Sequence, residues 1–177
     1  MRIEISWSKF LGTTFGSVDA LTYNPKAAFR TFPFPTNFEM TPALEAAGDA
    51  YHGFRTQLMI DRNEGLTKTY NRFHARSENA PDITRLRALH AEMDAAVLRA
   101  YGWHDLADRA APEFIEQDAD EGKTPKTRLD WPSEFKDEVL ARLLALNAER
   151  AAAERDAGLT APPDVDEEEL EEEAEDA

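Results

Sequence analysis

The chain has 177 residues, 42% of them hydrophobic, with 35 acidic and 20 basic side chains and a net charge of −15. That length suits one domain with extensions, no apolar run approaches the ~20 residues of a membrane span, and the N-terminus lacks the apolar segment and cleavage site of a signal peptide. The absence of cysteine excludes disulfide frameworks, thiol nucleophiles and cysteine-based zinc sites, so a soluble cytoplasmic protein is expected.

Residues 3–11 fit two periods. Ile3, Trp7, Phe10 and Leu11 share a helical face, while Ile3, Ile5 and Trp7 alternate as in a strand. Gly12, Gly16, Asn24 and Pro25 read as loop. Phe29 and Thr31 then lead into Phe32-Pro33-Phe34-Pro35, an extended, aromatic connector, because each proline disfavours helix at the residue before it. Thr41-Pro42 is a helix start, with Thr41 as N-cap. Leu44, Ala47, Tyr51, Phe54 and Leu58 follow at helical spacing, and the helix is expected to end between Asn63 and Gly65. Gly48 and Gly53 interrupt it at roughly 1 kcal/mol each relative to alanine, which points to close approach of a neighbour.

"NEGLTKTYNRFH", residues 63–74, reads as a short second helix or turn. Pro81-Asp82 opens the clearest helix, striped by Ile83, Leu86, Leu89, Met93, Val97 and Tyr101 and stopped by Gly102. Residues 103–130 read as loop, with a strand near "EFIE". Asp130-Trp131-Pro132-Ser133 opens a last helix, faced by Phe135, Val139, Leu143 and Leu146. The fold class is therefore mainly α: a small bundle of three main helices with short extended segments on the N-terminal side. Residues 161–177 carry ten acidic and no basic side chains, and such a run repels itself and buries little, so a disordered acidic tail is expected.

Charge is distributed unevenly. Residues 1–76 hold nine basic and seven acidic side chains, net +2, and residues 77–160 hold eleven and eighteen, net −7. The anion-facing candidates are Lys68 and Arg72, four apart on a helix and so able to reach adjacent phosphates, with Arg62 and Arg76 extending the patch. Tyr70 and Phe73 would pin this turn to the core. The competing reading is a helical corner whose cations pair with Asp61, Glu64 and nearby carboxylates.

Other chemistry is weakly signalled. Asn24-Pro25-Lys26-Ala27 begins like the base-flipping loop of amino-methyltransferases but lacks the second proline and the aromatic. Asp82 with Glu121 and Lys123 fits a loose metal-nuclease pattern, yet a carboxylate in a first helical turn is explained by the helix dipole. His52, His74, His90 and His104 share no metal-ligand spacing. His90 reads as a packed, hydrogen-bonded histidine at the core edge, and Trp103 and Trp131 read as core anchors. No catalytic residue, metal site or cofactor is assigned to this chain.

Five blocks then count together: "FRTFPFP", "LEAAGDAYHGFRTQLM", "NEGLTKTYNRFH", "PDITRLRALHAEMDAAVLRAYGW" and "WPSEFKDEVLARLLALNAER". In this order, over roughly residues 5–150, the chain resembles the C-terminal part of large adenine-specific DNA methyltransferases of Type II restriction-modification and phage-exclusion systems. The resemblance implies an upstream catalytic polypeptide carrying the S-adenosylmethionine site, with DNA as the partner of the assembled enzyme, the chain being either a subunit of it or a truncated fragment of such an enzyme. It implies a division into residues 1–36, the end of a target-recognition domain plus the connector packed through Phe32 and Phe34, residues 37–157, a helical C-terminal domain, and residues 158–177, the acidic tail. It further implies an exposed apolar surface around Trp7, Phe10, Phe29 and Phe32 where the missing domain would pack. The alternative is a stand-alone acidic interaction protein, of anti-restriction type, that does not bind DNA.

Overall fold

The computed structural model describes residues 2–11, 13–14, 21–22, 31–117 and 126–159. The acidic tail from residue 160, the Asn24 loop, Phe29, Glu121 and Lys123 lie outside them. The structure is mainly helical. Helix α1 spans Arg2–Leu11, α2 Pro42–Arg62, α3 Leu66–His74, α4 Pro81–Ala100, α5 His104–Arg109 and α6 Ser133–Asp156. Two antiparallel strand pairs accompany them: β1 (Thr13–Thr14) with β2 (Leu21–Thr22), and β3 (Glu113–Gln117) with β4 (Lys126–Asp130). Among the described residues, no helix is long and apolar enough to cross a membrane.

Helix ends follow local rules. Pro42 and Pro81 occupy first-turn positions, where a missing N–H costs nothing. Asn63, Gly102 and Gly158 adopt left-handed backbone after α2, α4 and α6. After α4, Gly102 N–H donates to Arg99 O at 2.8 Å and Trp103 N–H to Leu98 O at 3.0 Å, which satisfies two carbonyls the helix leaves open. Thr41 sits at the N-cap of α2 as expected, but its hydroxyl donates backward to Asn37 O and caps no helical N–H.

The core has two lobes. In the first, Ile3 and Trp7 of α1 and Phe32 of the connector pack with Leu98, Leu106, Trp131, Val139 and Leu143. In the second, Tyr51, Phe73, Leu86, Leu89 and Leu129 join α2, α3, α4 and β4. Residues 2–7 and the connector thus share one core with the helices that follow.

Several expectations are corrected here. Residues 2–11 form a helix, because Ile3 and Trp7 are both buried against α6 and α4 only at helical spacing. Trp7 and Phe32 are buried, so they form no exposed apolar surface; the side chains of Phe10 and Phe29 lie outside the described set. A Cβ at Gly48 or Gly53 would meet nothing within 4 Å, so among the described residues no neighbour approaches either glycine closely. The stretch 103–130 holds α5 and β4 besides the expected strand β3. Trp131, buried, and Trp103, half-buried, both pack in the first lobe as the expected anchors, and Trp103 stacks on Tyr101 at 4.5 Å between ring centroids.

Glycine therefore carries opposite consequences at two positions. Gly53→Ala is expected to stabilise by about 0.5–1 kcal/mol, since the methyl fills open space on a helix. Gly102→Ala is expected to destabilise by about 1 kcal/mol, since Gly102 sits at φ 77°. Urea unfolding of the two variants checks both signs.

Candidate nucleic-acid interface

The stretch 63–74 folds as a corner. Asn63 takes a left-handed turn at φ 50°, ends α2, and lets Glu64 N–H return to Met59 O at 3.0 Å. Gly65 precedes α3 in extended conformation. On α3, Thr69 and Phe73 face inward and Leu66, Thr67 and Lys68 face out. Thr69 is buried because its hydroxyl donates to Gly65 O at 3.2 Å, the usual way a buried threonine is satisfied within a helix.

The four candidate cations have internal partners. Arg62 Nε donates to Asp82, in the first turn of α4. Lys68 Nζ lies 3.4 Å from Glu64. Arg72 bridges two carboxylates, Glu78 at 2.8 Å and Glu64 at 3.2 Å, and its side chain is only 17% exposed. Arg76 donates to Phe114 O at 2.8 Å and lies over the Phe114 ring. Lys68, Arg62 and Arg76 are exposed, Lys68 at 69% and Arg62 at 41% of the side chain, and only Arg72 is largely covered.

The carboxylates respond to these partners. The hydrogen bond from Arg72, joined by the Ala80 N–H, holds Glu78 below the usual carboxylate range. Burial works to raise Glu64 and Asp82, but the hydrogen bonds from Arg72 and Lys68 to the first, and from Arg62 to the second, outweigh it and lower both. All three carboxylates are therefore ionised at neutral pH and compete directly with phosphate for the same cations.

An open cleft of about 640 Å³ lies beside this corner, lined by Phe54, Gln57, Leu58, Asp61, Arg62, Glu64 and Asp82. Three carboxylates against one guanidinium make its wall anionic. Two of those carboxylates are paired, Asp82 with Arg62 and Glu64 with Arg72 and Lys68, so Lys68 sits as an exposed cation beside a carboxylate of the cleft wall.

Tyr70 and Phe73 pack as anchors. Phe73 is buried and Tyr70 half-buried. The Tyr70 and Tyr51 hydroxyls hydrogen-bond, and Arg55 donates to Tyr70 Oη at 3.4 Å. Burial and the Tyr70 hydroxyl push the Tyr51 phenol far up, so Tyr51 stays neutral. Phe32 is buried edge-on to Trp7 and to Phe34, and the half-buried Phe34 stacks on Phe38.

Arg87 is the residue that sequence reasoning missed. Its guanidinium donates to Phe73 O (2.9 Å), Glu78 O (2.7 Å), Ala75 O (2.7 Å) and Arg72 O (3.2 Å), with its face 5.0 Å from the Phe114 ring centroid. One side chain thereby satisfies carbonyls at the end of α3 and in the following loop, which no helix ladder reaches. Its neighbour Leu86 marks the core stripe, so Arg87 was legible as an edge position and no more. Burial lowers its pKa without neutralising it.

Among the described residues, no three His, Asp or Glu side chains gather as a metal site. His90 is packed and hydrogen-bonded, as expected: its Nδ1 lies 3.0 Å from Asp94 Oδ2 and 2.9 Å from Arg2 Nη1. It donates to the first or accepts from the second, according to tautomer. The chain matches no family model, no curated protein and no solved structure.

The two roles separate by mutation. Arg87→Met is expected to cost about 2 kcal/mol, because it removes the donor from the part-buried Phe73 and Glu78 carbonyls, while Arg72 O and Ala75 O keep the N–H groups of Ala75 and Glu78. Lys68→Ala is expected to stay within about 0.5 kcal/mol, since its ion pair is exposed. Chemical denaturation of each variant measures the difference.

Proposed function

We propose that this chain is a non-catalytic structural and DNA-engaging module of a restriction or phage-defence adenine DNA methyltransferase. It works in the cytoplasm beside a separate catalytic polypeptide that holds S-adenosylmethionine. The observation that carries the reading is the ordered run of five sequence blocks resembling the C-terminal part of such enzymes. Those blocks are also the segments that build this body: the connector, α2, the corner with α3, α4 and α6.

DNA contact on this reading is made at the corner of residues 63–74. Lys68 is largely exposed, and Lys68, Arg62 and Arg72 each reach phosphate by exchanging a carboxylate for it. Such contacts position a duplex and read no bases. The chain alone is therefore a poor DNA binder, and the assembly with its catalytic partner is the DNA-binding species.

A second reading is a stand-alone acidic interaction protein. The anionic cleft and the internally paired cations favour it, because they suit a basic partner better than a phosphate backbone.

Affinity purification from the native cells separates the two. The module reading expects a methyltransferase-domain polypeptide in stoichiometric yield and duplex binding by that complex. Lys68→Glu in the complex should weaken binding several-fold and flatten the slope of log affinity against log salt by about one. Recovery of the chain alone, or with a basic protein that dissociates in salt, would overturn the module reading and support the second.

A further inference from the structure

Strand β4 is paired with β3 on one side only. On its other side, the backbone of Leu129 is held by two side chains. Its N–H donates to Nδ1 of His74, the last residue of α3, at 3.1 Å. Its carbonyl accepts from Arg2 Nη2 at 3.1 Å. The Thr127 hydroxyl adds a donation to His74 O at 3.4 Å. His74 can accept from Leu129 only while Nδ1 carries no proton.

The groups around the ring oppose its protonation. Arg2 from α1, Arg128 from β4 and His90 from α4 each disfavour a charge there, and Asp130 of β4 alone favours it. The ring is also packed edge-on to Phe73 at 5.0 Å and lies 6.3 Å from the Tyr70 ring on its own helix.

We infer that His74 is an acid-sensitive latch: a proton on Nδ1 removes the acceptor that holds Leu129, adds a cation beside Arg2 and Arg128, and frees β4 from α3 while the helices stay packed. The selectivity follows from the neighbouring ion pairs. Glu64, Glu78, Asp82 and Asp94 are all held below the ordinary carboxylate range, so their ion pairs stay intact as pH first falls below 6.5, where the latch begins to weaken. Release leaves the Leu129 N–H to solvent and opens one edge of a two-stranded sheet.

The sign of the pH dependence is fixed. Burial, then Arg128 and Arg2, lower the His74 pKa from 6.5 to about 4 in the closed state. The open state takes up its proton near the ordinary value of 6.5, so the latch is fully effective above it and weakens as pH falls toward about 4. Opening should increase by about tenfold per pH unit across that window.

Amide exchange of the full chain, followed by NMR from pH 7.5 down to about 4 and expressed as protection relative to intrinsic rates, tests this. The expected result is a loss of Leu129 protection of about tenfold per pH unit below about pH 6.5, with Val97 in α4 unchanged. Unchanged Leu129 protection down to pH 4, a simultaneous loss at Val97, or a His74 ring titrating near 6.5 in the folded chain would overturn the latch. In His74→Gln the pH dependence at Leu129 should disappear, and its persistence would also overturn it.

Discussion

A buried ion pair between Arg2 and Asp94 ties the N-terminal helix α1 to α4. Asp94 is 1% exposed and Arg2 6%. Asp94 accepts from the Arg2 guanidinium and, at 3.3 Å, from the Arg2 backbone N–H. The same guanidinium donates to Leu129 O and lies 3.6 Å from Asp130. Removing two charges from water is costly, and attraction offsets that only where the remaining donors and acceptors are satisfied. Burial works to raise the Asp94 pKa, yet the His90 hydrogen bond and Arg2 outweigh it and keep the carboxylate ionised. The pair stands between the two lobes of the core, joining α1, α4 and β4 at one point.

The other cations follow the same logic with decreasing burial. Arg87 satisfies the carbonyls at the end of α3, Arg72 clasps Glu64 and Glu78, Arg62 meets Asp82, and Lys68 reaches Glu64 from solvent. Guanidinium groups dominate the buried positions because their planar donors serve several acceptors at once. A second network joins Arg109 and Arg142 to Asp105 and Glu138 across α5 and α6. The Arg142 hydrogen bonds there hold Asp105 down to about 2. A chain with a large acidic excess thus uses its arginines chiefly to bind its own carboxylates and carbonyls.

Much of the helical framework was legible in the sequence. Pro42, Asn63, Pro81, Gly102 and Trp131-Pro132 mark helix boundaries by chemistry that acts locally, and the structure uses each of them. The long stripe from Ile83 to Val97 needed no tertiary context to be read. What failed was non-local. Residues 3–11 fit two periods, and only packing of Ile3 and Trp7 against α4 and α6 selects the helix. Helix α5 spans six residues, too few for a period, and β4 is polar because it is recognised by β3, His74 and Arg2 more than by burial. Gly48 and Gly53 suggested a close neighbour that is not found among the described residues. At the corner, spacing placed Lys68 and Arg72 on one face, but it said nothing of Glu78 or Arg87, which arrive from the loop and from α4.

The measurement closest to the central claim is a double-mutant cycle on Arg2 and Asp94, using Arg2→Met, Asp94→Leu and the double variant in urea unfolding. Each single substitution strands a buried charge and should cost about 3–5 kcal/mol, while the double variant should cost far less than their sum. Small and additive losses would contradict the account, since α1 would then be held by Ile3 and Trp7 alone.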